Sequence, residues 1–330
     1  ERDYAAYPTM IQNDLDYYLQ NGKAQTLKKG DKYGYDYYAN VRRAEAWAAG
    51  RFTFAGLDAS IAGRIGYTKF WREGLVRKGL FPGLDANGAP MEFEGAEITT
   101  YDPITNEAIT SLGKSDVKDF LTGGVKLNLS YVIRGGHRVY ADAAYVADAP
   151  RFNQAFVSPR TRNSIVPDLK TSKTFAADLN YAYSNSGYDV RVTGYYTTIK
   201  DQSKVMSFYD DAQNSFTNFA MSGMDERHVG VELGFKVPLP VPNLSLQGVL
   251  SYGQYVYTSN PVMYQTYDNS AAIVEETYGV TIPYWKSHPT AEGKTVKHYV
   301  SGTPQLATSL GLAWNKNYWF VDADVDWFYK

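Results

Sequence analysis

Cysteine is absent from the 330-residue chain, which removes disulfides, metal–thiolate centres and a catalytic thiol together. No run of ~18 apolar residues occurs, so no helix of the chain can cross a bilayer. A barrel is untouched by that exclusion, because strands of alternating polarity average out on any hydropathy scale. A basic excess is missing too. The 33 Lys and Arg stand against 35 Asp and Glu, a net charge of -2, and offer no electrostatic footprint for nucleic acid. Glu1-Arg2-Asp3-Tyr4 lacks a starter Met and an apolar leader, so either a leader has been removed or the chain is an internal piece of something longer. What the chain has in quantity is tyrosine. Its 29 Tyr lift aromatic content to 15%, although mean hydropathy is only -0.40. That enrichment suits aromatic girdles at two membrane interfaces.

Residues 174–200 set the pattern for the rest. Phe175, Ala177, Leu179, Tyr181 and Tyr183 alternate with Thr174, Ala176, Asp178, Asn180 and Ala182. After Ser184-Asn185-Ser186-Gly187, Tyr188, Val190, Val192, Gly194 and Tyr196 alternate with Asp189, Arg191, Thr193, Tyr195 and Thr197. Side chains alternate across a strand, so this predicts a hairpin with one apolar, Tyr-rich face and one polar face. Pairing Tyr183 with Tyr188 keeps apolar residues opposite one another and sets Asn180 against Arg191.

The same design recurs about five times after Asn40, giving about ten strands. Leu57 to Gly66, Val125 to Ile133, Val139 to Tyr145, Val229 to Val237, Leu244 to Tyr252, Leu306 to Trp314 and Trp319 to Trp327 all alternate in polarity. The turns are short at one end, at Gly56, Arg134-Gly135-Gly136-His137, 238–243 and Asn315-Lys316-Asn317. Long loops fall at the other end, over 72–117, 147–172, 201–225 and 258–301. Residues 1–38 read as a long extracellular loop, with a short helix announced by the capping box Thr9-Met10-Ile11-Gln12. Residues 39–330 read as a partial transmembrane barrel. Short turns opposite long loops are the asymmetry of a bacterial outer-membrane barrel. The polar face, rich in Gly, Ala, Ser and charge, would pack poorly as the core of a soluble sandwich and well as a wetted lumen. The fold class is therefore all-β, an antiparallel transmembrane β-barrel.

An ordered series of segments carries a resemblance. Ala149-Pro150-Arg151-Phe152 and Phe156-Val157-Ser158-Pro159-Arg160-Thr161-Arg162-Asn163 come first. Tyr195-Tyr196-Thr197-Thr198, Ser207-Phe208-Tyr209-Asp210-Asp211 and Phe216-Thr217-Asn218 follow, then His228-Val229-Gly230-Val231-Glu232-Leu233 and Gly302-Thr303-Pro304-Gln305. The series resembles the TonB-dependent outer-membrane receptors of Gram-negative bacteria, particularly the long-loop versions of Bacteroidetes-type bacteria. The resemblance implies a 22-stranded barrel closed by an N-terminal plug domain, importing a scarce nutrient with energy delivered by TonB. Siderophores, cobalamin, glycans and peptides are the substrate types it implies. It also implies contacts with outer-membrane lipid and, for the Bacteroidetes-type members, a surface lipoprotein. Against that pattern the chain holds about ten strands and no plug or TonB-box region before Asn40. The expectation is a C-terminal part of the barrel, to be completed by the plug and remaining strands of the same protein. A passive porin, a small stand-alone barrel and a surface β-sheet adhesion protein are the competing readings.

Candidate site residues follow from the faces. Arg64, Asp142, Asp178, Arg191, Glu232, Lys236, Asp322, Asp324 and Asp326 fall on the polar face and are expected to line the lumen. An outward Arg or Lys would cost ~2–4 kcal/mol at the bilayer midplane. The ladder Asp322, Asp324, Asp326 invites a cation-binding reading, but inward positions of a hydrated barrel are free to be acidic. The expected ligand contacts are Trp71, Arg72, Phe152, Phe156, Arg160, Tyr264, Tyr284 and Trp285, because aromatic and Arg side chains dominate recognition hot spots. Packing of loop on loop, or a membrane girdle, accounts for the same residues. His288 and His298 share a loop with Glu292 and read as solvated rather than as a metal site. No nucleophile–base spacing, phosphate-cradling loop or metalloprotease motif appears. The expectation is a transporter wall without catalytic residues, cofactor or metal.

Overall fold

The computed structural model describes residues 11–329 except 13, 23–24, 33–34, 78–99, 102–107, 110, 161, 211–214, 260, 268–279, 282–287, 290–294 and 297–298. Ten strands form the wall. They are β1 (Tyr37–Phe54), β2 (Leu57–Gly74), β3 (Lys118–Val132), β4 (His137–Asp148) and β5 (Ser172–Asn185). Then come β6 (Tyr188–Asp210), β7 (Ser215–Pro238), β8 (Leu244–Tyr257), β9 (Leu306–Lys316) and β10 (Trp319–Tyr329). Each pairs antiparallel with its neighbour in sequence, so the wall is an open meander from β1 to β10. The short strands Gly113–Lys114, Val262–Tyr267 and Val280–Thr281 join the same sheet at its long-loop end.

Turn chemistry fixes the registers. In the β5–β6 hairpin Asn185 lies opposite Tyr188, leaving Ser186 and Gly187 as the turn. Their φ values of +53° and +85° match a two-residue I′ turn, whose right-handed twist suits the flanking strands. The expected pairing of Tyr183 with Tyr188 is thus corrected by two residues: Tyr183 faces Val190, and Asn180 faces Thr193 rather than Arg191. A two-residue slip exchanges partners and leaves both faces intact. The same turn geometry recurs at Ala55-Gly56, with φ of +47° and +82°.

Two other expectations change. Residues 201–225 are not a loop: β6 continues to Asp210 and β7 begins at Ser215. The alternation breaks at Asp201-Gln202-Ser203 because a bulge sits there, with Asp201 at φ +57° and register shifts on both sides of Gln202. Beyond it the strands pair again, and Val262–Tyr267, from the expected loop 258–301, adds to β7 opposite residues 217–222. The short helix α1 runs over Leu15–Asn21 and is capped by Asp14; Thr9 of the expected box lies outside the described residues. The Asp14 carboxylate accepts from the backbone N–H of Asp16 at 3.0 Å and of Tyr17 at 3.2 Å. Ile11–Gln12 instead pairs with Gln25–Thr26.

The registers carry one outer face through all ten strands. Ile61, Leu127, Leu179, Val192, Val231, Leu310 and Val325 lie on it, between 38% and 73% exposed. Aromatics bound this band. Tyr131, Tyr183, Tyr188, Trp314 and Trp319 stand near the short turns; Tyr67, Tyr145, Phe175, Tyr196, Tyr252 and Trp327 stand toward the long loops. From Trp319 to Trp327 is about 26 Å along the strand at ~3.3 Å per residue, or about 20 Å along the normal at a tilt of about 40°. An apolar exposed face of this extent is stable against hydrocarbon and not against water.

Leu179 lies midway between Tyr183 and Phe175 on that band. Leu179→Arg is expected to cost about 2–4 kcal/mol in the stability of the full-length protein in lipid vesicles. Ser309→Arg, on the opposite face, is expected to stay within about 0.5 kcal/mol. Urea titration of the folded fraction checks both; equal penalties would overturn the assignment of faces.

Candidate functional site at the inner wall and its mouth

The face turned away from the apolar band carries charged and polar side chains on every strand, with Trp47, Val249 and Phe328 exposed among them. The registers put Arg64, Asp142, Asp178, Arg191, Glu232, Lys236, Asp322, Asp324 and Asp326 on it together. Some of its charges are answered by neighbouring side chains. Arg64 bridges Glu45 at 3.0 Å and Asp148 at 2.6 Å. Arg51 pairs with Asp58 at 3.3 Å. Asn128 donates to Asp142 at 2.8 Å, and Asn180 donates to Asp178. Asn180 is the buried node of this face: its Oδ1 accepts from Thr193 Oγ1 at 2.6 Å and from Arg191 at 3.3 Å. Arg191 and Arg138 also lie 5.6 and 5.5 Å from the Tyr140 ring centre. Lys236 sits near the short turns, exposed, opposite Asp189.

Two recesses open on this wall. One, about 510 Å³, brings Arg191, Glu232 and Asp326 together with Thr193, Ser251, Ser309 and Phe328. The other, about 420 Å³, joins Arg64, Glu45 and Asp148 to Lys126 and Trp47. Between β6 and β8 the hydroxyls of Tyr195 and Tyr255 meet over Gly230 and Gly253. A Cβ on Gly230 would lie 2.4 Å from the Tyr195 hydroxyl and 2.6 Å from the Tyr252 carbonyl, so only glycine leaves the phenols room against the backbone. Among the described residues no three His, Asp or Glu side chains converge to hold a metal ion.

At the long-loop end the inner face is covered. Residues 149–170 fold as a small hairpin, with Phe156 bridged to Ile165 and Val157 N–H donating to Ser164 at 3.1 Å. One side of it packs Ala155 and Phe156 on Phe70 of β2 and Phe120 of β3. The other packs Val157 and Val166 on Ala220 of β7 and Val205 of β6. The Gln154 side-chain oxygen accepts from the Val205 backbone N–H, which ties the hairpin to the bulged extension of β6. The strut therefore reaches from β2–β3 to β6–β7, across the mouth of the strands between them.

Arg72 fastens it. The side chain is 1% exposed. Its Nε donates to the Pro159 carbonyl at 2.6 Å, and one terminal nitrogen donates to the Ser111 carbonyl at 2.6 Å and to Asn163 Oδ1 at 2.5 Å. The guanidinium lies 4.9 Å from the Tyr37 ring centre. Asn163 donates on to the Leu112 carbonyl at 3.1 Å, and Ser115 accepts from the Arg72 N–H at 2.9 Å. Burial pushes the Arg72 guanidinium down to about 10, which leaves it charged at neutral pH. Burial likewise pushes the Tyr37 phenol up. Space around the clamp is closed: a Cβ on Gly74 would stand 1.7 Å from the Ser111 carbonyl oxygen.

The expected ligand contacts thus divide. Arg72, Phe152 and Phe156 come together inside the strut, with Phe152 and Phe156 rings 4.8 Å apart. Arg160 lies 5.8 Å from the Tyr35 ring centre at its edge. Trp71 lies on the outer face, opposite Asn40. Tyr264 is on the short strand beside β7. Tyr284 and Trp285 fall outside the described residues, as do Glu292 and His298 of the loop trio. Reading by residue type missed Ser111, Ser115 and Tyr37, which carry no signal of their own; Asn163 stood in a quoted segment without a role.

Arg72→Met is expected to leave two carbonyls and Asn163 without their cation, at about 1.5–3 kcal/mol. Hydrogen exchange of the full-length protein should then accelerate in residues 149–170 and not in the membrane-spanning part of β5–β6. Gly74→Ala should do the same by steric exclusion. Uniform acceleration along the chain would sink the clamp.

No curated protein matches the chain. Solved structures with partial likeness include "Copper transporter OprC", at 13% identity and a TM-score of 0.49 over 87% of this chain and 34% of that one. P. aeruginosa FpvA bound to heterologous pyoverdines follows at 10% identity and 0.37, over 89% of this chain and 38% of that one. The FpvAI–pyocin S2 complex gives 10% and 0.36, with 89% and 39% covered. The chain spans less than two-fifths of the length of each. The family described as "TonB dependent receptor-like, beta-barrel" matches residues 3–330. With that match running through every strand of the wall, the chain belongs to the TonB-dependent receptor β-barrel family.

Proposed function

We propose that this chain is a wall segment of an outer-membrane transporter that imports a scarce nutrient by a plug mechanism energised through TonB. The observation that carries the reading is the division of labour between faces across one continuous ladder. An apolar band bounded by aromatics meets lipid, and the opposite face offers open recesses of mixed lining, where Arg191, Glu232 and Asp326 stand beside Val249 and Phe328. Family membership adds the plug, the remaining strands and TonB as partners. Substrate contacts belong to the recesses and to the rim beyond the strut, at side chains that bind without reacting. A siderophore, cobalamin, glycan or peptide suits a mixed-charge wall with tyrosine hydroxyls, and a lipoprotein lid would sit above the strut. The outer membrane of a Gram-negative bacterium is the location this reading requires.

Uptake decides it. Cells carrying the full-length gene as their only route for labelled siderophore, cobalamin, oligosaccharide or peptide are expected to accumulate one of these. Removal of TonB or collapse of the proton gradient should abolish that uptake. Accumulation that survives both treatments and scales linearly with concentration would identify a passive pore instead.

A further inference from the structure

On the outer face, just above the upper aromatics, two cations lie over one indole and a third stands beside them in the ladder. The Arg42 guanidinium carbon lies 5.1 Å and the Lys114 ammonium 5.0 Å from the Trp71 ring centre. Lys69 stands directly opposite Arg42 in the β1–β2 register. Like charges opposite each other across a ladder repel, so this pair destabilises the hairpin unless an anion lies between them. Two carboxylates share the face, Asp119 opposite Lys69 and Glu73 opposite Lys114. Asp119 is engaged by the Tyr67 hydroxyl. Among the described residues no salt bridge joins either carboxylate to the three cations.

We propose that Arg42, Lys69 and Lys114 bind the headgroup phosphate of an outer-leaflet lipid, with Trp71 as the interfacial anchor between them. The order of chemistry along the strands matches the order within such a lipid. The cations stand at the long-loop end, which is the outer side in this class of barrel. Immediately beneath them, Tyr67 and Leu121 are paired across β2–β3, 44% and 69% exposed, and offer apolar ground for acyl chains. A free phosphate ion would use the cations and ignore that ground. Indole and basic side chains at the headgroup level are the ordinary means of holding a protein at an anionic interface. Arg42 supplies planar paired donors and Lys69 and Lys114 supply point charges, a set suited to a phosphate monoester. The proposal rests on this face meeting lipid, and it is independent of transport.

Native mass spectrometry of the full-length protein in non-ionic detergent tests it. The probes are bis-phosphorylated lipid A, the same lipid after enzymatic dephosphorylation, and inorganic phosphate. The wild type is expected to retain one phosphorylated lipid and to discriminate against the other two probes. Each cation contributes about fivefold at an anionic surface, so Arg42→Gln with Lys114→Gln should weaken retention about 25-fold. Heat-modifiable migration on gels reports whether that variant is folded. Equal retention of both lipids by the wild type would overturn the proposal without any variant. So would inorganic phosphate binding as tightly as the lipid, or a folded variant that retains the lipid undiminished. Uptake is read separately, so a failed transport assay leaves this result standing.

Discussion

In hydrocarbon a backbone amide has no water to fall back on, and that one constraint orders this chain. Every N–H and C=O at membrane depth must find a partner on a neighbouring strand, which forces consecutive strands into one antiparallel ladder. Once the ladder is fixed, the two-residue period of a strand does the sorting. Leu179 and Val192 go outward; Asn180 and Thr193 go inward, where they bond to each other. The tight turns follow from the same demand. Ser186 and Gly187 accept positive φ because a looser turn would leave pairs at the end of the hairpin unmade. Proline obeys it too, since Pro238 falls at the last pair of β7.

This explains which parts could be read from the sequence. Faces are a local property with a period of two, so the assignments of Phe175, Leu179, Tyr181 and Tyr196 to lipid needed only alternation. Register is less local. The pairings Tyr183–Tyr188 and Asn185–Tyr188 keep identical faces, and only the conformational preference of Ser186-Gly187 distinguishes them. The upper halves of β6 and β7 were hidden for another reason. A bulge at Gln202 breaks the period, and beyond it successive residues of β7 from Ala220 to Ser222 are all buried, so alternation no longer marks the pair. Long-range packing was invisible altogether. Nothing near Arg72 in sequence announces Pro159, Ser111 or Asn163, which are 39 to 91 positions away.

The strut changes what a buried arginine means at this mouth. A cation removed from water is costly unless every donor finds an acceptor. Arg72 offsets that cost with two carbonyls and Asn163 at Nε and one terminal nitrogen, and with the face of Tyr37. It joins three segments that also meet through strand pairing at Gly113 and packing on Phe70: the end of β2, the run before β3, and residues 149–170. A lysine could not replace it, having one nitrogen for acceptors that lie in different directions. Arg72, Phe152 and Phe156 therefore shape the opening, with their side chains packed inside the strut. Among the expected contacts, Arg160 stands at its edge, beside Tyr35.

Arg72 and Trp71 are adjacent in sequence, yet alternation sends them to opposite sides of the sheet. Arg72 turns inward, where there is no bulk water and no lipid, and neutral carbonyls and Asn163 supply its acceptors. Trp71 turns outward with Arg42 and Lys114 beside it, and the carboxylates of that face, Asp119 and Glu73, form no salt bridge with them among the described residues. The same chemical need, acceptors for a cation's donors, is met by the fold on one face and only in part on the other. A cation at the headgroup level loses little by waiting for its partner, because water and lipid phosphate both reach it. One at membrane depth on that face would have neither. The outer-face charges therefore gather above Tyr67, where the apolar band ends.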